Sequence, residues 1–200
     1  SLGYNSMGAN TTGTNNTAIG SKAMEDNTTG SNNTSIGFEA LADNQNGNQN
    51  TAGGKRALKS NTSATNNTAF GYHALEENTT GAENTALGAE ALTANTTGSP
   101  NTAVGKGALQ HNTTGASNVS MGQGALGDNT TASNNTAVGT VALNKNTTGA
   151  ENTALGAEAL DANTTASFNT SIGSSSLGAN TTGASNTAIG RASLTRNTTA

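Results

Sequence analysis

The chain has no cysteine, no tryptophan and a single proline, and only 2% of its residues are aromatic. Each shortage excludes something. Without thiols there is no disulfide framework and no thiolate metal site. Two tyrosines and three phenylalanines in 200 residues are too few to centre an ordinary globular core. Eight basic and twelve acidic residues leave a net charge of −4, thinly spread, which implies neither nucleic acid nor an anionic membrane as a partner. No apolar run is long enough for a membrane span, so no membrane segment is expected within these residues. Nothing at the start reads as a signal peptide, and targeting or anchoring signals are expected outside the sequence.

What is present is one phrase, repeated. Asn-Thr-Ala-hydrophobic-Gly opens at Asn16, Asn33 and Asn50, and then every 17 residues to Asn186, with no insertion or deletion. Weak hydrophobicity alone would suit a disordered chain. Low charge and unbroken register argue against that, because a disordered tract has no reason to keep phase. A fixed period predicts stacked, near-identical coils whose like residues form ladders. The expected fold is all-β, a parallel β-solenoid with one 17-residue coil per repeat. About twelve repeats form a single array over residues 1–200. Ser1 enters at the third position of a repeat and Ala200 leaves at the fifteenth, so the array is expected to be an excerpt, truncated at both ends.

Numbering each repeat from the Asn of Asn-Thr-Ala assigns the columns. Position 5 is always Gly (Gly3 to Gly190) and position 12 always Asn (Asn10 to Asn197). Both residues tolerate left-handed backbone, so both columns read as corners, with the Gly or Ala of position 15 as a third. Position 4 is apolar in all but one copy, including Ile19, Ile36, Phe70, Leu87, Val104, Val138 and Leu155. Position 9 is Met or Leu throughout, including Leu41, Leu58, Leu75, Leu92, Leu109, Leu143 and Leu160. These two columns form the expected core. Gly53 takes the place of the core residue in one repeat, beside the polar run Gln45-Asn46-Gly47-Asn48-Gln49, and marks an expected soft spot. Every Asp, Glu, Lys and Arg falls at position 6, 7, 10, 11 or 17, which assigns the solvated surface.

Strand alternation places positions 2 and 4 on one side of the backbone and position 3 on the other. With position 4 inward, the threonines of position 2 join the interior and position 3 faces out. Position 3 nevertheless takes only Ala or Ser, as position 8 does. An outward column that never admits bulk or charge suggests a cover, and another copy of the chain is the expected one. Two large apolar side chains per coil are also a thin return for ordering 17 residues, which again favours self-assembly. A competing local reading makes Tyr72–Glu77 and Ala89–Leu92 single helical turns, although six residues cannot hold a helix alone.

The phrase Asn-Thr-Ala-Ile-Gly at 16–20, with a small residue three positions after the Gly, resembles the head repeat of trimeric autotransporter adhesins. The fuller unit from Asn101 to Gly115 also resembles repeats of phage tail-fibre-like proteins. The resemblance implies a left-handed parallel β-roll, a parallel homotrimer, and an extracellular place on a cell surface or virion. Two departures stand out: the repeat is longer than the usual adhesin-head unit, and Thr replaces its more apolar inward residue.

Candidate sites are few. His73 and His111 lie at different surface positions with no recurring partner. The calcium-solenoid pattern Gly-Gly-x-Gly-x-Asp is absent, and Asp-Asn at 26–27, 43–44 and 128–129 reads as turns. No metal or cofactor is expected. The Asn-Thr-Thr column matches the N-glycosylation acceptor pattern at Asn78, Asn95, Asn112 and Asn146, among others. Stacked side-chain amides at a corner account for the same column without sugar. An ice-binding face would need parallel rows of outward Thr, but paired threonines such as Thr79-Thr80 are adjacent and would point opposite ways. Tyr4, Phe38 and Tyr72 share position 6, where aromatic rings could stack on a sugar. No nucleophile–base set recurs, so an enzyme is not expected. The expected function is a structural fibre segment, shaft or head, that supports attachment. The alternative is direct recognition of a host-cell receptor or glycan through the variable columns 6, 7, 10 and 11.

Overall fold

The computed structural model describes residues 1–199. Eleven short strands follow the repeat: β1 (Thr17–Ile19), β2 (Thr34–Ile36), β3 (Thr51–Gly53), β4 (Thr68–Phe70), β5 (Thr85–Leu87), β6 (Asn101–Val104), β7 (Asn118–Met121), β8 (Thr136–Val138), β9 (Thr153–Leu155), β10 (Thr170–Ile172) and β11 (Thr187–Ile189). They form one parallel sheet in chain order. Register is that of the repeat: Thr17 pairs with Thr34, Ala18 with Ser35 and Ile19 with Ile36, and the same columns match at every later step. The chain is a parallel β-solenoid with no helix among the described residues.

The strands cover only positions 2 to 4. The rest of each coil is a chain of tight turns built from left-handed residues. Position 5 is Gly at φ between 115° and 142°. Positions 7, 9 and 17 are also left-handed, as at Lys22 (59°), Leu41 (51°) and Asn32 (61°). Proline cannot adopt that backbone; at position 17 of one coil stands Pro100, and the Ser99–Pro100 bond is cis. A left-handed L-residue costs about 1–2 kcal/mol, and hydrogen bonds between coils offset the cost at each corner. Lys22 N–H donates to Tyr4 C=O at 2.8 Å, Met24 to Ala40 at 3.0 Å, and Asp26 to Ala42 at 2.9 Å.

Two corner readings change. The competing reading of Tyr72–Glu77 and Ala89–Leu92 as helical turns fails, because His73, Leu75, Glu90 and Leu92 have φ of 53–60°, which no right-handed helix admits. The Asn of position 12 and the Gly or Ala of position 15, both read as left-handed corners, are not left-handed among the described residues; the role of the Asn lies in its side chain.

The interior is narrower than the sequence suggested. Position 9 is fully buried from Met24 to Leu177, including Leu41, Leu58, Leu75, Leu92, Leu109, Leu143 and Leu160. The remaining interior belongs to small residues. Ala69, Ala86, Ala103, Ala137 and Ala154 at position 3, and Ala74, Ala91 and Ala108 at position 8, are completely inaccessible. They are covered by their own coil rather than by another chain. Where Ser replaces Ala at position 3, it donates across the coil to the position 8 carbonyl, as Ser35 does to Ala40 at 2.7 Å.

Position 4 therefore faces out. Ile19, Ile36, Phe70, Leu87 and Leu155 are 37–48% exposed, and Val104 and Val138 are partly exposed. The expected core role of these seven residues is overturned, and the threonines of position 2 face out with them. The reason is volume. A coil whose two walls are closed by alanines has room for one large side chain, and position 9 fills it. Gly53 follows the same correction. It sits on the outer face, where the Phe70 ring of the next coil lies over it; a methyl group at Gly53 would meet that ring at 2.4 Å. It leaves no gap in the core.

Candidate functional surfaces

Two asparagine ladders run through the interior. At position 12, Asn95 Nδ2 donates to Asn78 Oδ1 at 2.9 Å and to Gly98 C=O at 3.0 Å. Its own Oδ1 accepts from Asn112 Nδ2 at 2.9 Å. At position 1, Asn50 Nδ2 donates to Ala64 C=O at 2.9 Å, and its Oδ1 accepts from Asn67 N–H at 3.0 Å. Both ladders converge on the carbonyl of position 15: Gly30 C=O accepts from Asn16 and Asn27 at 2.7 and 3.1 Å. Burying amides is unfavourable unless they are paired. Here nearly every one is paired by its own copy one coil away.

The ladders bear directly on the glycosylation pattern. Asn78, Asn95, Asn112 and Asn146 have no accessible surface, and each side-chain nitrogen is engaged. The folded solenoid does not present these amides to a modifying enzyme. The second Asn column, at position 1, was not read from sequence as interior; its invariance in every Asn-Thr-Ala phrase was the available signal.

Outside the coil, Thr79 Oγ1 donates to Thr96 C=O at 3.0 Å, and the same bond repeats along position 13. This leaves the adjacent Thr80 exposed alone.

The variable columns carry a small charge network. Arg56 Nε lies 2.9 Å from Glu39 Oε2, and its Nη1 lies 3.6 Å from Glu76, which also contacts His73 Nδ1 at 2.5 Å. Tyr72 stacks on His73 with centroids 3.8 Å apart, and Lys55 Nζ lies 5.5 Å from the Tyr72 centroid. All three rings of position 6, Tyr4, Phe38 and Tyr72, are exposed, and that of Tyr72 is engaged by these two neighbours. His111 meets Asp128 across neighbouring coils at 3.3 Å. Among the described residues, no group of three or more His, Cys, Asp or Glu side chains is placed to hold a metal ion.

One depression interrupts these columns. Position 7 is Gly in two successive coils, Gly107 and Gly124, and the missing side chains leave a hollow of about 220 Å³. Lys106, Gln110, His111, Gln123 and Asp128 line it, so its walls offer amides and charges of both signs.

Comparison with family models, with curated proteins and with solved structures found no match for this chain.

Proposed function

We propose that this chain is a structural segment of an extracellular attachment fibre, a shaft or head that holds a binding tip away from a cell surface or virion. The observation that carries the reading is continuity. All eleven strands keep one register, and the asparagine ladder of position 12 passes from coil to coil with the same partners. A stack of equivalent coils sets length and stiffness without needing any special coil. On this reading the chain performs no catalysis and holds no cofactor.

The resemblance of Asn-Thr-Ala-hydrophobic-Gly to adhesin-head and tail-fibre repeats supports the same role. A second reading, direct recognition of a glycan or receptor, is favoured by the hollow over Gly107 and Gly124, whose amide and charged walls suit a hydroxyl-rich ligand.

One experiment separates the two. In the full-length protein, removal of four whole repeats is expected to shorten the projection seen by electron microscopy by roughly 20 Å, at a strand spacing of about 4.8 Å, with attachment retained. Lys106→Ala with Gln123→Ala is expected to leave attachment unchanged. Loss of attachment in that double variant, with the rod intact, would establish direct binding instead.

A further inference from the structure

The run Gln45-Asn46-Gly47-Asn48-Gln49 departs from the repeat, and no column described above accounts for it. Position 14 is Thr in every other repeat except at Ser63; here it is Asn46, and Asn46-Gly47 is the only Asn-Gly pair in the chain. The corner is also held by one bond fewer. The hydroxyl of position 13 donates to the carbonyl of the next coil from Thr28 and again from Thr62, but Gln45 between them makes no such bond. Asn46 is exposed, and its side-chain amide has no hydrogen-bond partner among the described residues. The N–H of Gly47 has none either.

We propose that Asn46 is a site of self-modification, at which the folded chain converts its own side-chain amide to a carboxylate. Gly47 N attacks Asn46 Cγ, and the new N–Cγ bond closes a cyclic imide. The Cγ–Nδ2 bond breaks, and Nδ2 leaves as ammonia with the proton of Gly47 N. Water then opens the imide. Cleavage at Cγ gives aspartate; cleavage at the Asn46 main-chain carbonyl gives isoaspartate, whose backbone runs through the former side chain. Glycine permits the attack, because no Cβ shields its nitrogen and its backbone can turn to present it. Elsewhere the fold withholds the nucleophile. Asn32, Asn66 and Asn134 are also exposed, but each precedes an asparagine whose N–H is held by a ladder. Asn33 N–H donates to Asn16 Oδ1 at 2.9 Å, and Asn67 and Asn135 N–H donate to Asn50 and Asn118 Oδ1 at 3.0 Å. The product acts on the ladders themselves. Gly47 C=O accepts from Asn33 Nδ2 at 2.8 Å and from Asn44 Nδ2 at 3.1 Å, so it anchors both. Isoaspartate inserts one more main-chain atom ahead of that carbonyl, which a coil in fixed register cannot take in place. An old rod is thus marked and loosened at one coil. Nothing in this chemistry depends on what the rod supports.

The test is to age the full chain in mildly alkaline buffer, digest it, and follow each asparagine by mass spectrometry. Asn46 is expected to convert before every other asparagine, Asn32, Asn66 and Asn134 included, with isoaspartate identified by enzymatic methylation of its free α-carboxyl. Gly47→Ala is expected to slow conversion roughly tenfold, because a Cβ then hinders the nitrogen. Ala64, Ala132 and Ala166 occupy the same position in other coils, so this variant keeps the fold. Asn46→Thr restores the repeat and is expected to remove the event. In the aged chain, hydrogen exchange is expected to quicken in the coils around Gly47. Asn46→Asp adds the charge without lengthening the backbone, and is expected to exchange like the fresh chain. Conversion at Asn46 no faster than at Asn32, an unslowed Gly47→Ala, or unchanged exchange in the isoaspartate form would each overturn the proposal.

Discussion

Asn95 shows how much one interior side chain can carry. Its amide joins three coils, through Asn78 Oδ1, Gly98 C=O and Asn112 Nδ2. Asn95→Ala leaves Asn78 Oδ1 buried without a partner, at about 1–3 kcal/mol, whereas Gly98 C=O keeps Asn84 Nδ2 and Asn112 Nδ2 keeps Gly115 C=O. A loss of about 1–3 kcal/mol is expected, read by denaturant titration and by hydrogen exchange in the coils on either side. Asp161 makes the opposite case at the surface. Burial raises its pKa above the ordinary 3.8, Lys145 partly counteracts this, and Glu158 adds to the rise. The fold thus favours the protonated form. Stability from this group is fully present below the unfolded pKa and is lost as pH rises through the higher folded value. Asp161→Asn is therefore expected to raise the melting temperature near neutral pH and to change nothing at about pH 3, as followed by thermal melts at both.

At the scale of the coil, the left-handed corners set the limits. Val141 sits at position 7 with φ 49°, a backbone that a β-branched residue rarely tolerates. The two preceding coils have Gly107 and Gly124 there. Val141→Asn keeps a side chain while easing the backbone, and a gain of up to about 1 kcal/mol is expected in the denaturation midpoint. The period, the stacking register and the inward leucines of position 9 were all legible in the sequence. So was the alternation within Thr-Ala-Ile. What alternation cannot supply is polarity, since it says that positions 2 and 4 share a side without saying which. Hydrophobicity pointed position 4 inward, and volume pointed it out. The deciding signal was uniformity. Position 9 is Leu in every coil from Leu41 onward, as a filled space demands, while position 4 wanders from Gly53 through Phe70 to Val104 and Met121, as only an open face allows. The left-handed backbone at Leu75 was not legible, because leucine has no preference for it; the neighbouring coils impose it through their hydrogen bonds. The hollow over Gly107 and Gly124 was visible only as two unremarked glycines in a variable column.

Across the whole molecule, each coil rests only on its neighbours, so damage should stay local and divide the stack. Ala103→Glu would place a charge where there is no accessible surface, between the coils of β5 and β7. The expected result is melting in two phases, one for each arm, monitored by circular dichroism. The same substitution at Leu87, in the adjacent column on the outer face, should leave a single transition.

The orientation of the backbone hydrogen bonds has a mechanical consequence. They run from coil to coil, along the axis of the stack, so a pull on the two ends loads the last rung first and leaves the others shielded. When that rung yields, its 17 residues straighten and lengthen the tether by roughly 50 Å, and the load passes to the next rung. A solenoid pulled this way pays out slack in equal increments and dissipates work at each one, where a bundle loaded all at once would snap.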